Sequence, residues 1–132
     1  MKKLITALAL VTIGCFALNH SVYSQTTICF DLNITDNCSG QWYGFYSARV
    51  SVIFGGNAYC ITTINNLVEG ENKNLSYDCS ECPIDGSSPL YTINVAVCRQ
   101  MENPTCCGSD SDGPMYYSVL DDCTAQLDVT LN

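Results

Sequence analysis

Two cysteines separated by two residues, Cys79 and Cys82, are the first feature of this sequence that could support chemistry. A C-x-x-C pair exchanges disulfides when a helix N-terminus lowers the pKa of one thiol. Here the pair precedes Pro83 at the end of a predicted strand, with no alternating strand and helix pattern around it. Together with Cys106 and Cys107, the pair could also bind zinc through four thiolates. The sequence favours structural disulfides and leaves a thiol-disulfide oxidoreductase and a zinc site as alternatives.

Nine of the ten cysteines follow residue 24. Because thiols pair in an oxidising compartment, nine cysteines allow at most four intrachain disulfides and leave one thiol over. That thiol either packs inside the monomer or bonds to a partner chain. Adjacent cysteines do not easily bond to each other, so we expect Cys106 and Cys107 to reach different strands. The pairing itself cannot be deduced from sequence. The candidate disulfide residues are Cys29, Cys38, Cys60, Cys79, Cys82, Cys98, Cys106, Cys107 and Cys123.

A D-x-D-G stretch from Asp110 to Gly113 is a candidate calcium site. Calcium takes about six to eight oxygen ligands, and the carboxylates of Asp110 and Asp112 could begin such a set. Asp121 and Asp122 follow one strand later and could complete it. We expect the stretch to lie in a long acidic loop over residues 100–114, where a solvated turn is the alternative. No other cofactor is predicted.

Two aromatic pairs, Trp42 with Tyr43 and Tyr116 with Tyr117, are candidates for ligand stacking. Successive strand residues face opposite sides of a sheet, so one member of each pair points outward. An outward aromatic ring can stack on a sugar or contact a protein partner. The alternative is core packing for the inward ring and an ordinary surface position for the other.

The first 24 residues have the pattern of a secretory signal. Two lysines precede an apolar stretch over residues 4–18, and Ser24 stands before the predicted cleavage point. The apolar stretch is too short to span a bilayer. We therefore expect a secreted, extracellular or periplasmic domain over residues 25–132, without a transmembrane span. A lipid anchor on Cys15 is the alternative, since Gly14 before Cys15 suits a lipoprotein signal.

Removal of this leader changes the charge and the chemistry that remain. The only histidine, His20, leaves with it, which excludes nucleophile–histidine catalysis and histidine-bound metals in the domain. Thirteen carboxylates then face three cations, Arg49, Lys73 and Arg99, for a net charge of −10. A chain so acidic is not expected to bind nucleic acid. Carboxylates, thiols, tyrosines and the three cations remain for chemistry, and because a sandwich of about 108 residues rarely supplies a substrate cleft, we expect no enzyme activity.

The elements that must position these residues are predicted to be strands. Apolar and polar residues alternate with period two through most of the domain, which is typical of half-buried strands. The predicted strands cover residues 27–34, 42–54, 58–64, 75–79, 90–99, 115–120 and 125–131. This pattern predicts an all-β, disulfide-stapled, two-sheet β-sandwich of about seven strands, immunoglobulin-like or transthyretin-like.

The sequence has a predicted secretory signal and many cysteines for disulfides, and it lacks a recognisable catalytic set. These features favour a secreted or cell-surface protein with an interaction or structural role. We expect an adhesin, a matrix component or a filament subunit. Its partners would be other extracellular proteins or copies of itself, with the leftover cysteine as one route to a covalent contact. A carbohydrate- or calcium-binding module is the first alternative function, and an oxidoreductase using Cys79 and Cys82 is the second.

Overall fold

Seven β-strands make up most of the described chain. The computed structural model describes residues 26–80, 90–100, 106–116 and 122–132. The strands are β1 (Thr26–Asp36), β2 (Tyr46–Phe54), β3 (Asn57–Leu67), β4 (Gly70–Cys79), β5 (Leu90–Arg99), β6 (Cys107–Tyr116) and β7 (Ala125–Leu131).

The strands form two sheets, with the order β4-β1-β7 in one and β3-β2-β5-β6 in the other. In the three-stranded sheet, β1 pairs antiparallel with β4 and parallel with β7. All pairs of the four-stranded sheet are antiparallel. Consecutive strands β1 and β2 therefore lie in different sheets, so the chain crosses between the sheets directly after Asp36.

One core lies between the two sheets, and four strands supply most of it. Every second residue of these strands points inward because a strand has a side-chain period of two. The buried residues are Ile28, Phe30, Leu32 and Ile34 of β1; Tyr46, Ala48, Val50 and Val52 of β2; Tyr91, Ile93, Val95 and Val97 of β5; and Ala125, Leu127, Val129 and Leu131 of β7. The predicted all-β, sandwich-like architecture with two sheets is thus confirmed.

The predicted acidic loop over residues 100–114 is wrong, because β6 begins at Cys107. The alternation in β6 is between half-buried and exposed polar residues, so its hydrophobicity shows no period of two. β4 is also longer than the strand predicted over residues 75–79, because it already begins at Gly70. Both strands lie at sheet edges, where polar and charged side chains remain in water.

The predicted leader, including Cys15 and His20, lies outside the described residues. Among those that are described, no helix is long and apolar enough to cross a membrane.

Candidate recognition site

A buried carboxylate, Asp36, lies where β1 ends and the chain crosses to β2. Arg99, at the end of β5, donates from Nε to Oδ2 at 2.8 Å and from a terminal nitrogen to Oδ1 at 3.0 Å. The Tyr46 hydroxyl donates to Oδ2 at 2.7 Å, and the backbone amide of Cys38 donates to Oδ1 at 3.0 Å. The side chains of Arg99 and Asp36 are only 11% and 4% exposed. Four donors thus satisfy a carboxylate that burial would otherwise destabilise.

The charge states of this cluster follow from its geometry. The hydrogen bonds from Arg99 hold the pKa of the Asp36 carboxyl below its ordinary value, although burial opposes them. Burial, followed by the hydrogen bond to Asp36, raises the pKa of Tyr46 to about 12. The hydrogen bond to Asp36 also raises the pKa of Arg99. The cluster therefore holds a carboxylate, a phenol and a guanidinium at neutral pH, and none of them is tuned for proton transfer there.

The cluster anchors the chain between β1 and β2, residues 37–45, which we call the aromatic loop. Arg99 donates to the carbonyl of Gly40 at 2.9 Å, and its guanidinium carbon lies 5.6 Å from the centre of the Trp42 ring. The Trp42 indole donates to the carbonyl of Phe45 at 3.3 Å. A Cβ on Gly44 would overlap the Trp42 ring, so glycine is required at that position. A disulfide from Cys38 to Cys106 ties the start of the loop to the chain before β6.

The anchored loop carries two aromatic side chains into solvent. Tyr43 is 85% exposed and Phe45 is 52% exposed. Beside Tyr43 opens a cleft of about 380 Å³, which Glu69 and Gln41 also border. Exposed aromatic rings next to polar groups on a fixed backbone form a contact surface that needs little ordering on binding.

The other predicted stacking residues have different environments. Trp42 is half-buried against Arg99, so it supports the loop. Tyr116 is 61% exposed at the end of β6, far along the chain from the loop. Tyr117 lies outside the described residues.

The described carboxylates predicted to bind calcium accept hydrogen bonds from β7 or from the residue just before it. An oxygen of Asp110 accepts from the backbone amide of Asp128 at 2.9 Å, and one of Asp112 accepts from that of Gln126 at 3.1 Å. Asp122 accepts from the amide and the hydroxyl of Thr124, at 3.1 and 2.8 Å. Asp121 lies outside the described residues, and calcium binding stays a prediction.

Eight of the nine candidate cysteines form four disulfides, which are Cys29–Cys123, Cys38–Cys106, Cys60–Cys79 and Cys98–Cys107. The neighbours Cys106 and Cys107 have different partners, although the partner of Cys106, Cys38, lies in the loop after β1 and not on a strand as expected. Because Cys79 bonds to Cys60, it forms no disulfide with Cys82 and offers no thiolate to zinc. Cys82 lies outside the described residues.

Ligand atoms of Asp36, Cys38 and Cys106 lie within 4.8 Å of one another, a spacing that a metal ion could bridge. The two sulfurs are bonded to each other, however, and metals bind the thiolate form. Arg99 occupies both oxygens of Asp36. In this disulfide-bonded state, the group works as a structural cluster.

Sequence reasoning missed the partnership of Asp36, Tyr46 and Arg99. One signal was present, because Arg99 is one of only three cations in the predicted domain and ends the most regular apolar strand. A cation at that position needs a buried partner, and an acidic residue at the end of another core strand supplies one.

Comparison of this chain with protein-family models, curated proteins and solved structures finds no match.

Proposed function

We propose that this protein is a non-enzymatic interaction module that contacts an extracellular protein partner through the aromatic loop. The observation that carries the proposal is the exposure of Tyr43 and Phe45 on a backbone that Arg99 and a disulfide hold in place. Interface centres are enriched in aromatic residues, and a preorganised loop loses little entropy on binding. The Asp36 cluster keeps fixed charges at neutral pH, which suits a structural role for it.

Four disulfides indicate an oxidising environment. They support location outside the cell or at its surface, in agreement with the predicted secretory signal. In the alternative with a lipid anchor on Cys15, the same loop would face partners from the membrane surface.

The strand order favours the transthyretin-like type over the immunoglobulin-like type. An immunoglobulin constant domain places its first two strands in one sheet, in the arrangement ABED and CFG. Here β1 and β2 lie in different sheets, and β1 lies between β4 and β7.

The test compares wild-type protein with a variant carrying both Tyr43→Ala and Phe45→Ala. Each protein is immobilised and incubated with the extracellular proteins of the producing cells, and bound proteins are quantified by mass spectrometry. The protein retained by the wild type is then purified and titrated calorimetrically. We expect the double variant to weaken its binding at least tenfold, because both exposed rings are removed.

Tyr116→Ala is the matched control, since it removes an exposed tyrosine that is 61% accessible on another strand. It should bind as the wild type does. Equal binding by the loop variant and the wild type would contradict the proposal.

Carbohydrate binding is a second candidate, supported by Tyr43 standing beside the polar side chains of Gln41 and Glu69 at the cleft. Sugars bind by stacking one face on an aromatic ring while their hydroxyls form hydrogen bonds. Calorimetry with a panel of oligosaccharides tests it, and Tyr43→Ala should abolish any heat observed. The absence of heat at millimolar sugar would remove this candidate.

Calcium binding and thiol-disulfide exchange have less support. Each predicted calcium ligand of β6 already accepts a backbone hydrogen bond from β7. The first cysteine of the C-x-x-C pair is bonded to Cys60 on β3.

A further inference from the structure

The cleft beside the aromatic loop is formed by three segments that are distant in the sequence. Trp42 and Tyr43 of the loop line one part of it, Glu69 between β3 and β4 lines another, and Arg99 at the end of β5 completes it. Its volume of about 380 Å³ falls within the range of about 300–1,000 Å³ that is usual for ligand sites in proteins. The cleft is therefore large enough to receive one side chain of a binding partner.

Two of the charges at the cleft cancel each other. Arg99 pairs with Asp36 at 2.8 Å, and both side chains are largely buried. The same guanidinium also donates to the carbonyl of Gly40 at 2.9 Å. Because Arg99 and Asp36 are held together as an ion pair, they add no net charge to the cleft.

Glu69 supplies a third charge that is not balanced. Among the described residues, the ion pairs are Lys73–Glu71 and Arg99–Asp36, and neither of them includes Glu69. The hydrogen bond to Asp36 is the largest cause of the raised pKa of Arg99, and the negative charge of Glu69 acts in the same direction. The Glu69 carboxylate thus lies near enough to act on the cleft electrostatically, and no described cation neutralises it.

Aromatic ring faces at the cleft are suited to a cation. A cation within about 6 Å of the centre of an aromatic ring is attracted by the negative face of the ring. The Trp42 ring already has such a contact, since the guanidinium carbon of Arg99 lies 5.6 Å from its centre. Tyr43 also borders the cleft and is 85% exposed, so its ring remains available to a ligand.

We infer that this cleft binds an arginine side chain of the partner protein. The inference rests on the proposed function, because the partner reaches the cleft by contacting the aromatic loop. The guanidinium of the incoming arginine stacks on the ring of Tyr43, and its N–H groups donate to the carboxylate of Glu69. Its positive charge balances the carboxylate that the chain itself leaves without a cation.

The chemistry of the cleft favours arginine over other side chains. A planar guanidinium stacks on an aromatic ring and presents a fork of donors to a carboxylate, whereas a lysine ammonium is a strongly hydrated point charge. Arginine is also enriched at protein interfaces, and lysine is depleted there. An acidic side chain would be repelled by Glu69, and an apolar one would desolvate that carboxylate without replacing its hydrogen bonds.

Trp42 provides a direct readout, because it is the single tryptophan of the chain and borders the cleft. Its fluorescence is followed while the disulfide-bonded protein is titrated with acetyl-arginine amide, at constant ionic strength, up to tens of millimolar. Acetyl-citrulline amide is the control ligand, since it has nearly the same shape without the charge. We expect saturable binding of the arginine probe, at least tenfold weaker binding of the citrulline probe, and a lower affinity for arginine when the titration is repeated in high salt.

Two variants locate the charge that is recognised. Glu69→Gln keeps the shape of the side chain and should weaken the arginine probe at least threefold. Glu71→Gln is the matched control, because it removes the same charge from an exposed residue of β4 that pairs with Lys73 and does not border the cleft. It should bind the probe as the wild type does, whereas Tyr43→Ala should weaken the probe as Glu69→Gln does.

The inference is overturned if the arginine probe does not bind, if both probes bind equally, or if Glu69→Gln binds arginine as the wild type does. These titrations need no partner protein, so they are independent of the capture experiment with Tyr43→Ala and Phe45→Ala. If that double variant loses the captured protein and Glu69→Gln keeps it at full affinity, the interaction module stands and the arginine site falls. If the arginine probe binds as expected and the double variant captures the same proteins as the wild type, the cleft keeps its ligand class and the proposed function fails.

Discussion

The close approach of β6 to β7 predicts that a single methyl group at Gly108 destabilises the whole molecule. A Cβ on Gly108 would overlap the carbonyl oxygen of Thr130 and lie 2.8 Å from its carbonyl carbon. Non-bonded carbons prefer separations of about 3.5–4.0 Å, so β6 and β7 must move apart by about 1 Å in Gly108→Ala. Gly108 is not among the glycines with positive φ, so the cost arises from contact and not from backbone strain.

That movement breaks two hydrogen bonds between β6 and β7. The Asp110–Asp128 and Asp112–Gln126 bonds measure 2.9 and 3.1 Å. An added separation of about 1 Å places both beyond hydrogen-bonding distance. Each bond to a charged acceptor contributes about 1.5 kcal/mol at the lower end of its range, which suits this half-exposed site. Replacing glycine by alanine restricts the unfolded chain, which stabilises the protein by about 0.4–1 kcal/mol. The net loss in the free energy of unfolding is therefore about 2 kcal/mol.

Guanidinium unfolding of Gly108→Ala, measured beside wild type and Ser109→Ala, tests this value. Ser109 is the neighbouring residue on β6 and is exposed, so its alanine variant should lie within about 0.5 kcal/mol of wild type. Hydrogen exchange at the amides of Gln126 and Asp128 should rise in Gly108→Ala alone. Asp110→Asn combined with Asp112→Asn should add little to Gly108→Ala, because the bonds are already broken. The reasoning is refuted if Gly108→Ala and Ser109→Ala are equally stable.

Two further predictions concern the Asp36 cluster and the disulfides. Hydrogen bonds from Arg99 lower the pKa of Asp36 below the ordinary value of about 4. The contribution of the Asp36 carboxylate to folding stability is therefore complete above about pH 4 and is lost as the pH falls through the lowered pKa. Unfolding free energies measured between pH 6 and about pH 2 should therefore fall less steeply in Asp36→Asn than in the wild type, and parallel curves would contradict this. Serine substitution of both cysteines of Cys29–Cys123 should cost about 3.5 kcal/mol in the chain-entropy model, because the intact Cys38–Cys106 bond shortens the loop it closes to about 26 residues. The same change at Cys98–Cys107, 9 residues apart, should cost about 2.5 kcal/mol, and the reverse order in thermal unfolding would exclude an entropic origin.

The predicted strands were most accurate where one face of the strand is apolar. In β1 and β5, the alternate residues from Ile28 and from Tyr91 are buried as predicted, and Cys29 on the other face of β1 is buried as well. β6 was missed because the alternate residues that face β7 are a glycine and two aspartates, which give no hydrophobic pattern. An edge strand that buries polar groups in hydrogen bonds leaves no periodic pattern of hydrophobicity.

The candidate site was predicted only in its exposed part. One of Trp42 and Tyr43 was expected to point outward, and the structure shows that it is Tyr43, which is 85% exposed. Its support was not foreseen, because Asp36 and Arg99 are 63 residues apart and meet only when β1 and β5 pack in facing sheets. No local pattern in a sequence reports on a contact of this kind.

By itself, the sequence determined what depends on composition and on neighbouring residues. Period-two alternation specified strands and their inward faces, and nine cysteines after the predicted leader set an upper limit of four internal disulfides. Only the tertiary structure decided which cysteines pair, which carboxylate holds Arg99, and which strands lie at the sheet edges. The physical reason is that these features depend on strand order, and strand order arises from contacts between residues far apart in the chain.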